Sequence, residues 1–388
     1  MLIKMEAEER IIRLQHALRG MGIDGALIHY PIDVYYYSGT RQNATLWVPA
    51  QGNPSLFVRK SLSRARQESL VEATGPFPPS KEFAGLFGAD VRKIGLTFDV
   101  LPVQQYTYYS RLLPGRECVD ISSVNRDIRS VKSSWELDKL RASGAALSAV
   151  FSQVPQFLRA GMREIDLAAE FEYRLRKAGS EGYVRMRAFN QELFQGLAVA
   201  STAGEHGFFD GAVTGRGLSA ASPHGASAEP IGADTPVVID YTGIFDGYIV
   251  DMTRIFVIGK LAPELGRAFD AALAIQNRLV ADLMPGAVCE ELFLRAAQMA
   301  DDAGLGKNFM GAPGENARFV GHGVGLELDE FPVLAQGFKV PLVEKQAIAI
   351  EPKFVLPGLG VIGIENTFAV GAGGGERLTP LADDIVYL

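Results

Sequence analysis

The spacing of apolar residues changes period several times along this chain, and each change marks an element. Ile11, Leu14 and Leu18 recur at helical spacing within residues 5 to 19, and the pattern stops at Gly20 and Gly22, which predicts an amphipathic helix. A short apolar run from Gly25 to His29 predicts a strand. Thr45 to Val48 and Leu56 to Val58 predict two more, alternating with polar helical segments and Gly/Pro punctuation up to about residue 130. That alternation is the mark of an α/β domain. Within it, Tyr35, Tyr36 and Tyr37, close to Asp33, read as core or interface packing. At Arg129-Ser130-Val131-Lys132-Ser133-Ser134-Trp135-Glu136 a Ser-rich cap precedes a helix predicted to reach about Leu158. The boundary is therefore placed at residue 128, giving an N-terminal domain of residues 1–128 and a second domain of residues 129–388.

The second domain repeats itself. Gly161 and Gly286 each open a helical stretch that closes with Ala-Gly, at Ala178-Gly179 and Ala303-Gly304, and Leu167 falls on Leu292 with the same offset of 125 residues. A long helix precedes each copy, at about 135 to 158 and 262 to 284, and β-hairpins follow. Two similar halves, helices outside and strands inside, predict a pseudo-symmetric α+β sheet curved around a central site that draws residues from both.

Between the helical copies lies PVVIDYTGIFDGYIVDMTRIFVIG, residues 236 to 259, two apolar runs joined at Asp246-Gly247. An Asp-Gly in that setting signals a tight β-hairpin. With it as the turn, Phe245 faces Tyr248, Thr242 faces Asp251 and Asp240 faces Thr253, so Asp240 and Asp251 become diagonal neighbours on one face, within roughly 8 Å. Two carboxylates aimed into one space from apolar strands repel each other and are costly to desolvate unless a cation lies between them. The hairpin therefore predicts a metal site.

Composition narrows the possible partners. A chain of 388 residues, 47% hydrophobic and 21% charged, is too long for one ordinary core and suits two globular domains. A net charge of -7 with no Lys/Arg cluster argues against nucleic acid. Cys118 and Cys289 stand far apart with no pairing pattern, and MLIKMEAEERIIRLQ has acidic residues where a signal peptide requires an apolar core. No apolar run approaches about 18 residues. These features predict a cytoplasmic protein with no membrane partner.

Two further stretches carry chemistry. Gly321-His322-Gly323-Val324-Gly325 sets a histidine among residues that let backbone and imidazole approach a ligand. AIAIEPKFVLPGLGVIGIENTF pairs two apolar strands around Pro357-Gly358-Leu359-Gly360, with Glu351 at the end of one run and Glu365 inside the other. Asp240, Asp251, Glu351 and Glu365 with a neutral His322 balance two divalent cations. Oxygen-rich donors with one nitrogen and no sulfur suit Mn²⁺ first, then Co²⁺ or Zn²⁺. Two such ions would lower the pKa of a shared water toward neutrality and generate a hydroxide nucleophile.

The order Asp, Asp, His, Glu, Glu resembles the dinuclear metallopeptidases of the creatinase-type, or pita-bread, fold, the family of prolidase, aminopeptidase P and methionine aminopeptidase. Asp-Met-Thr-Arg beginning at Asp251, Gly-His-Gly-Val-Gly around His322 and Ile-Glu-Pro at Glu351 match as well. The resemblance covers about 130 to 388, and the N-terminal domain resembles the smaller domain of the prolidase and creatinase branch. It implies that Asp240, Asp251, His322, Glu351 and Glu365 are the metal ligands, that Glu351 shuttles a proton, and that His224, 16 residues before Asp240, stabilises the tetrahedral intermediate. It also implies a homodimer. Two positions depart from the pattern: Asp329 stands where proline-directed members have a second histidine, and Gly363 where many have an arginine. Lys353, two residues past Glu351, is expected to pair with Asp329, and both, with His206, are candidate substrate contacts.

The function implied is a metal-dependent hydrolase of short peptides, an Xaa-Pro dipeptidase or Xaa-Pro aminopeptidase. A second reading keeps the metals and changes the substrate to a small non-peptide amide or other polar metabolite, which the changes at Asp329 and Gly363 favour. A third is a non-enzymatic binding module, against which the retention of all five ligands counts.

Overall fold

The N-terminal helix Leu2–Gly20 turns Ile11, Leu14 and Leu18 into the core and ends where Gly22 takes the left-handed conformation, φ 64°. In this computed structural model residues 2–187, 193–205, 207, 209 and 211–388 are described. The chain divides into two units, the first running to Arg129 and including Arg187, the second beginning at Ser130.

In the first unit, strands β1 (Gly25–Ile28), β2 (Ala44–Pro49), β3 (Ser55–Val58), β4 (Ala73–Pro76), β5 (Lys93–Leu96) and β6 (Glu117–Asp120) form one sheet in the order β4-β3-β2-β1-β5-β6. Tyr36 and Tyr37 are buried, and the Tyr37 hydroxyl donates to Asn125 Oδ1 at 2.9 Å. Asp33, fully buried, binds Arg129 Nη1 at 2.7 Å and Arg187 Nη2 at 3.0 Å. Burial alone would raise its carboxyl, but Arg187 and Arg129 outweigh it and hold the group below the usual range.

In the second unit the helix Ser134–Phe151 starts at a reciprocal cap: Glu136 N–H donates to Ser133 Oγ at 3.1 Å, and Ser133 N–H to Glu136 Oε2 at 2.9 Å. It stops short of the expected Leu158. A 3₁₀ turn, Val154–Gln156, follows, with Pro155 unable to continue the helical bonding.

The repeat is geometric as well as sequential. The helices Glu164–Lys177 and Cys289–Asp302 have equal length and begin and end 125 residues apart. Gly161 and Gly286 precede them at φ 83° and 91°, and Gly179 and Gly304 follow at 103° and 74°, all in the region that favours glycine. Even the flanking contacts correspond: Gly161 N–H donates to Ile231 O at 2.8 Å, and Gly286 N–H to Leu342 O at 2.9 Å.

Strands β7 (Gly196–Ala200), β8 (Pro236–Phe245), β9 (Tyr248–Val257), β10 (Phe319–Gly323), β11 (Glu330–Ala335), β12 (Ala347–Ile350), β13 (Lys353–Leu356), β14 (Gly360–Gly363), β15 (Asn366–Ala369), β16 (Glu376–Arg377) and β17 (Val386–Tyr387) complete the unit. Hydrogen bonding divides them into sheets β17-β9-β8-β7 and β11-β10-β12-β15-β16 and the ribbon β13-β14. The two arms of the last long hairpin leave one sheet and enter the ribbon at Glu351-Pro352 and Ile364-Glu365. Glu365, expected inside a strand, therefore sits at a break. A bridge to Thr253 ties that break to β9.

Candidate metal centre

The β8-β9 register pairs Asp240 with Thr253, Thr242 with Asp251 and Phe245 with Tyr248. Asp246 (φ 50°) and Gly247 (φ 83°) are both left-handed, as a type I′ turn requires. Alternation then sends both aspartates to one side of the sheet. Glu351 and Glu365 arrive from the two strand breaks and His322 from the middle of β10. All five line a single cavity of about 360 Å³. His224, Asp329 and Lys353 also line it; His206 lies outside the described residues. Phe194 and Phe209 pack near the His224 ring, with centroids 5.4 and 6.3 Å away.

Neighbours set the orientation of the donors. His322 Nδ1 lies 2.8 Å from Leu328 O, which can only accept, so Nδ1 carries the proton and Nε2 presents its lone pair 3.5 Å from Glu351 Oε1. Thr367 Oγ1 accepts from Asp251 N–H at 2.9 Å and donates to Asp251 O at 3.0 Å. Thr253 Oγ1 donates to Glu365 Oε2 at 2.9 Å, while buried Arg254 donates to Glu365 O at 3.0 Å and Asn366 Oδ1 at 2.8 Å. Thr253, Arg254 and Thr367 escape a search for ligands because none is one. Their signal is position: each lies within three residues of Asp251 or Glu365.

The expected pairing of Lys353 with Asp329 gives way to another. All three ammonium protons go to the cage, to Asp240 Oδ2 at 2.8 Å, Glu351 Oε2 at 2.7 Å and Glu365 Oε2 at 2.9 Å. The cause is strand register. Lys353 pairs with Gly363 across the ribbon, and its stem covers that glycine so closely that a Cβ there would lie 2.6 Å from Lys353 Cγ. Alternation could have found this, since residues 351 and 353 of an extended chain share a face.

Burial pushes the Asp240, Asp251 and Glu365 carboxyls up, Asp251 well above the usual range, and neighbouring carboxylates add to it: Glu365 on Asp240, Glu365 and Asp240 on Asp251, and Glu351 on Glu365. Burial also works against the Lys353 ammonium, but Asp240, Glu351 and Glu365 together hold it well above an ordinary lysine. The cage is thus short of positive charge even with Lys353 in it. One oxygen each of Asp251 and Glu365 and a ring nitrogen of His322 lie within 4.8 Å of one another, a spread that one ion can span. Glu365 Oε1 is buried with no hydrogen-bond partner among the described residues. These donors fit a divalent ion. The oxygens of Asp240 and Glu351 that bond Lys353 do not fit a second one while the ammonium lies among them.

Four carboxylates and an imidazole, presented by a duplicated α+β domain at the wall of a cavity, define a metal-dependent hydrolase. Residues 138–372 match the profile of metallopeptidase family M24, and residues 10–131 that of the creatinase/prolidase N-terminal domain. The chain belongs to metallopeptidase family M24, has its pita-bread fold, and shares the family's use of divalent metal. An Xaa-Pro dipeptidase of Pyrococcus furiosus is 28% identical over 380 residues, spanning 96% of this chain and 98% of the relative. Among solved structures, an Xaa-Pro dipeptidase from Bacillus anthracis has a TM-score of 0.84 at 22% identity, covering 98% of this chain and 100% of its own. Dipeptidase PepE from Mycobacterium ulcerans has a TM-score of 0.82 at 24% identity, covering 99% and 98%. At those identities the two structures speak for the fold.

Proposed function

We propose that this chain hydrolyses short peptides with Xaa-Pro bonds, as an Xaa-Pro dipeptidase. The observation that carries the proposal is the convergence of Asp240, Asp251, His322, Glu351 and Glu365 on one cavity, in a chain whose full-length relative is an Xaa-Pro dipeptidase. Asp251, His322 and Glu365 would hold a divalent ion, which would supply Lewis-acid polarisation of the scissile carbonyl and acidify water. Glu351 holds and returns the proton at Oε1, the oxygen that Lys353 leaves free. His224 donates toward the oxygen on which charge develops, a contribution of about 3 kcal/mol. Phe194, Phe209, Phe319 and Val333 give the cavity an apolar wall for a prolyl ring.

One observation favours the second reading, a small non-peptide amide. Lys353 is the only lysine or arginine among the described residues lining the cavity, and its protons are engaged. Among the described lining residues no guanidinium or unengaged ammonium remains for a peptide carboxylate.

We further propose Mn²⁺ as the ion, with Co²⁺ or Zn²⁺ as alternatives. Of the two positions expected, Asp251, His322 and Glu365 form one; the other is bounded by the oxygens that bond Lys353. A homodimer is proposed by analogy with two-domain relatives, and light scattering should return twice 41.9 kDa. A cytoplasmic location is proposed because both cysteines are free thiols.

The test is hydrolysis of an Xaa-Pro dipeptide, its C-terminal amide, a longer Xaa-Pro peptide and a non-proline dipeptide by the Mn²⁺-supplemented protein. Cleavage of the Xaa-Pro dipeptide, abolished by a chelator, restored by Mn²⁺ and reduced about 10³-fold or more in Asp251→Ala, is the expected result. Bound metal with no Xaa-Pro cleavage would transfer the proposal to the non-peptide amide.

A further inference from the structure

The cage contains a cation that belongs to the chain. The Lys353 side chain is 2% exposed, its stem is pinned over Gly363, and its Nζ lies 2.7–2.9 Å from three carboxylate oxygens contributed by β8 and by both strand breaks. A divalent ion ligated by those oxygens at about 2.1 Å would be centred where the nitrogen now lies. Ammonium and ion cannot share that place, and like charges in contact in a buried site repel strongly.

The other donors are not engaged by Lys353. Asp251 gives no oxygen to Lys353, His322 presents Nε2, and Glu365 Oε1 has no hydrogen-bond partner among the described residues, whereas Oε2 serves Lys353 and Thr253. Glu365 is the shared wall between a position filled by lysine and a position built for metal. One divalent ion together with the ammonium brings the four carboxylates within one charge of neutrality.

We infer that Lys353 replaces one of the two cations this donor set could hold, so that the protein binds a single divalent ion, at Asp251, His322 and Glu365. The inference rests on the metal-dependent reading above and changes its stoichiometry.

Full-length protein loaded with Mn²⁺ and freed of excess metal by gel filtration is analysed by elemental mass spectrometry and electron paramagnetic resonance. The wild type is expected to hold one Mn²⁺ per chain with the six-line signal of an isolated ion. Lys353→Ala, which clears the second position, is expected to hold two with an exchange-coupled signal. Asp251→Asn should weaken the single ion at least 10-fold, while Asp240→Asn, whose carboxylate bonds lysine, should leave the count at one. Two ions per wild-type chain would overturn the inference whether or not any variant folds. So would a folded Lys353→Ala that still binds one, or an Asp240→Asn that loses the ion as Asp251→Asn does. No ion in either wild type or Lys353→Ala would overturn the metal-dependent reading as well, which separates the two failures.

Discussion

Lys353 and Asp33 are both buried charges, and each is stable only because opposite charges surround it. For Asp33 the partners are Arg129 and Arg187, all three nearly inaccessible. Its folded carboxyl lies below the unfolded value, so it contributes stability that is fully present above about pH 4 and is lost as pH falls through the folded value. Asp33→Ala, which strands two guanidiniums, is expected to cost about 3–5 kcal/mol in urea unfolding at pH 7, with the difference from wild type narrowing below pH 4. Individual residues were unequally legible. The convergence of Asp240, Asp251, His322, Glu351 and Glu365 on one cavity could be anticipated because each interrupts an apolar run or a glycine-rich turn. Lys353 is less legible: its expected partner was Asp329, and its place among Asp240, Glu351 and Glu365 follows only once its cross-strand partner is known to be Gly363.

At the scale of elements, the hairpin of β8 and β9 was readable down to its register, since a two-residue Asp-Gly turn leaves one pairing that buries the apolar face. Gly247 is the sensitive point. Gly247→Ala forces a side chain onto φ 83° and is expected to destabilise by about 1–2 kcal/mol, seen as a lowered Tm with the hairpin otherwise retained. The last hairpin was less legible. Its apolar runs are continuous in sequence, and nothing in their period reports that each changes sheet at a glutamate. Pro352 is the local clue: it lacks an N–H, and its carbonyl accepts from Ile364 N–H at 3.2 Å, stitching the two breaks together. The helix ends at Phe151 for a related reason: the apolar pattern runs on through Val154 and Leu158, but Pro155 cannot continue the helical bonding.

For the whole molecule, the duplication in the second unit was visible from a few glycine and alanine positions because only glycine occupies those backbone conformations cheaply. The order of strands within each sheet was not visible. It needs pairings that local periodicity does not record, such as β17 with β9, where Val386 meets Phe256 more than 100 positions away. The isolated bridge from Thr253 to Glu365 that ties the second half to the first is equally remote. The tethered ammonium has a consequence at this scale. A cage of four acidic groups ordinarily leaves a protein dependent on metal for its integrity, since stripping the ions exposes their mutual repulsion. Here part of the neutralising charge is covalent and cannot be dialysed away. The metal-free chain should therefore keep its fold during synthesis and through metal starvation. In calorimetry, a chelator is expected to lower the Tm of the wild type less than that of Lys353→Ala. Occupancy would then govern activity with little effect on the protein's survival.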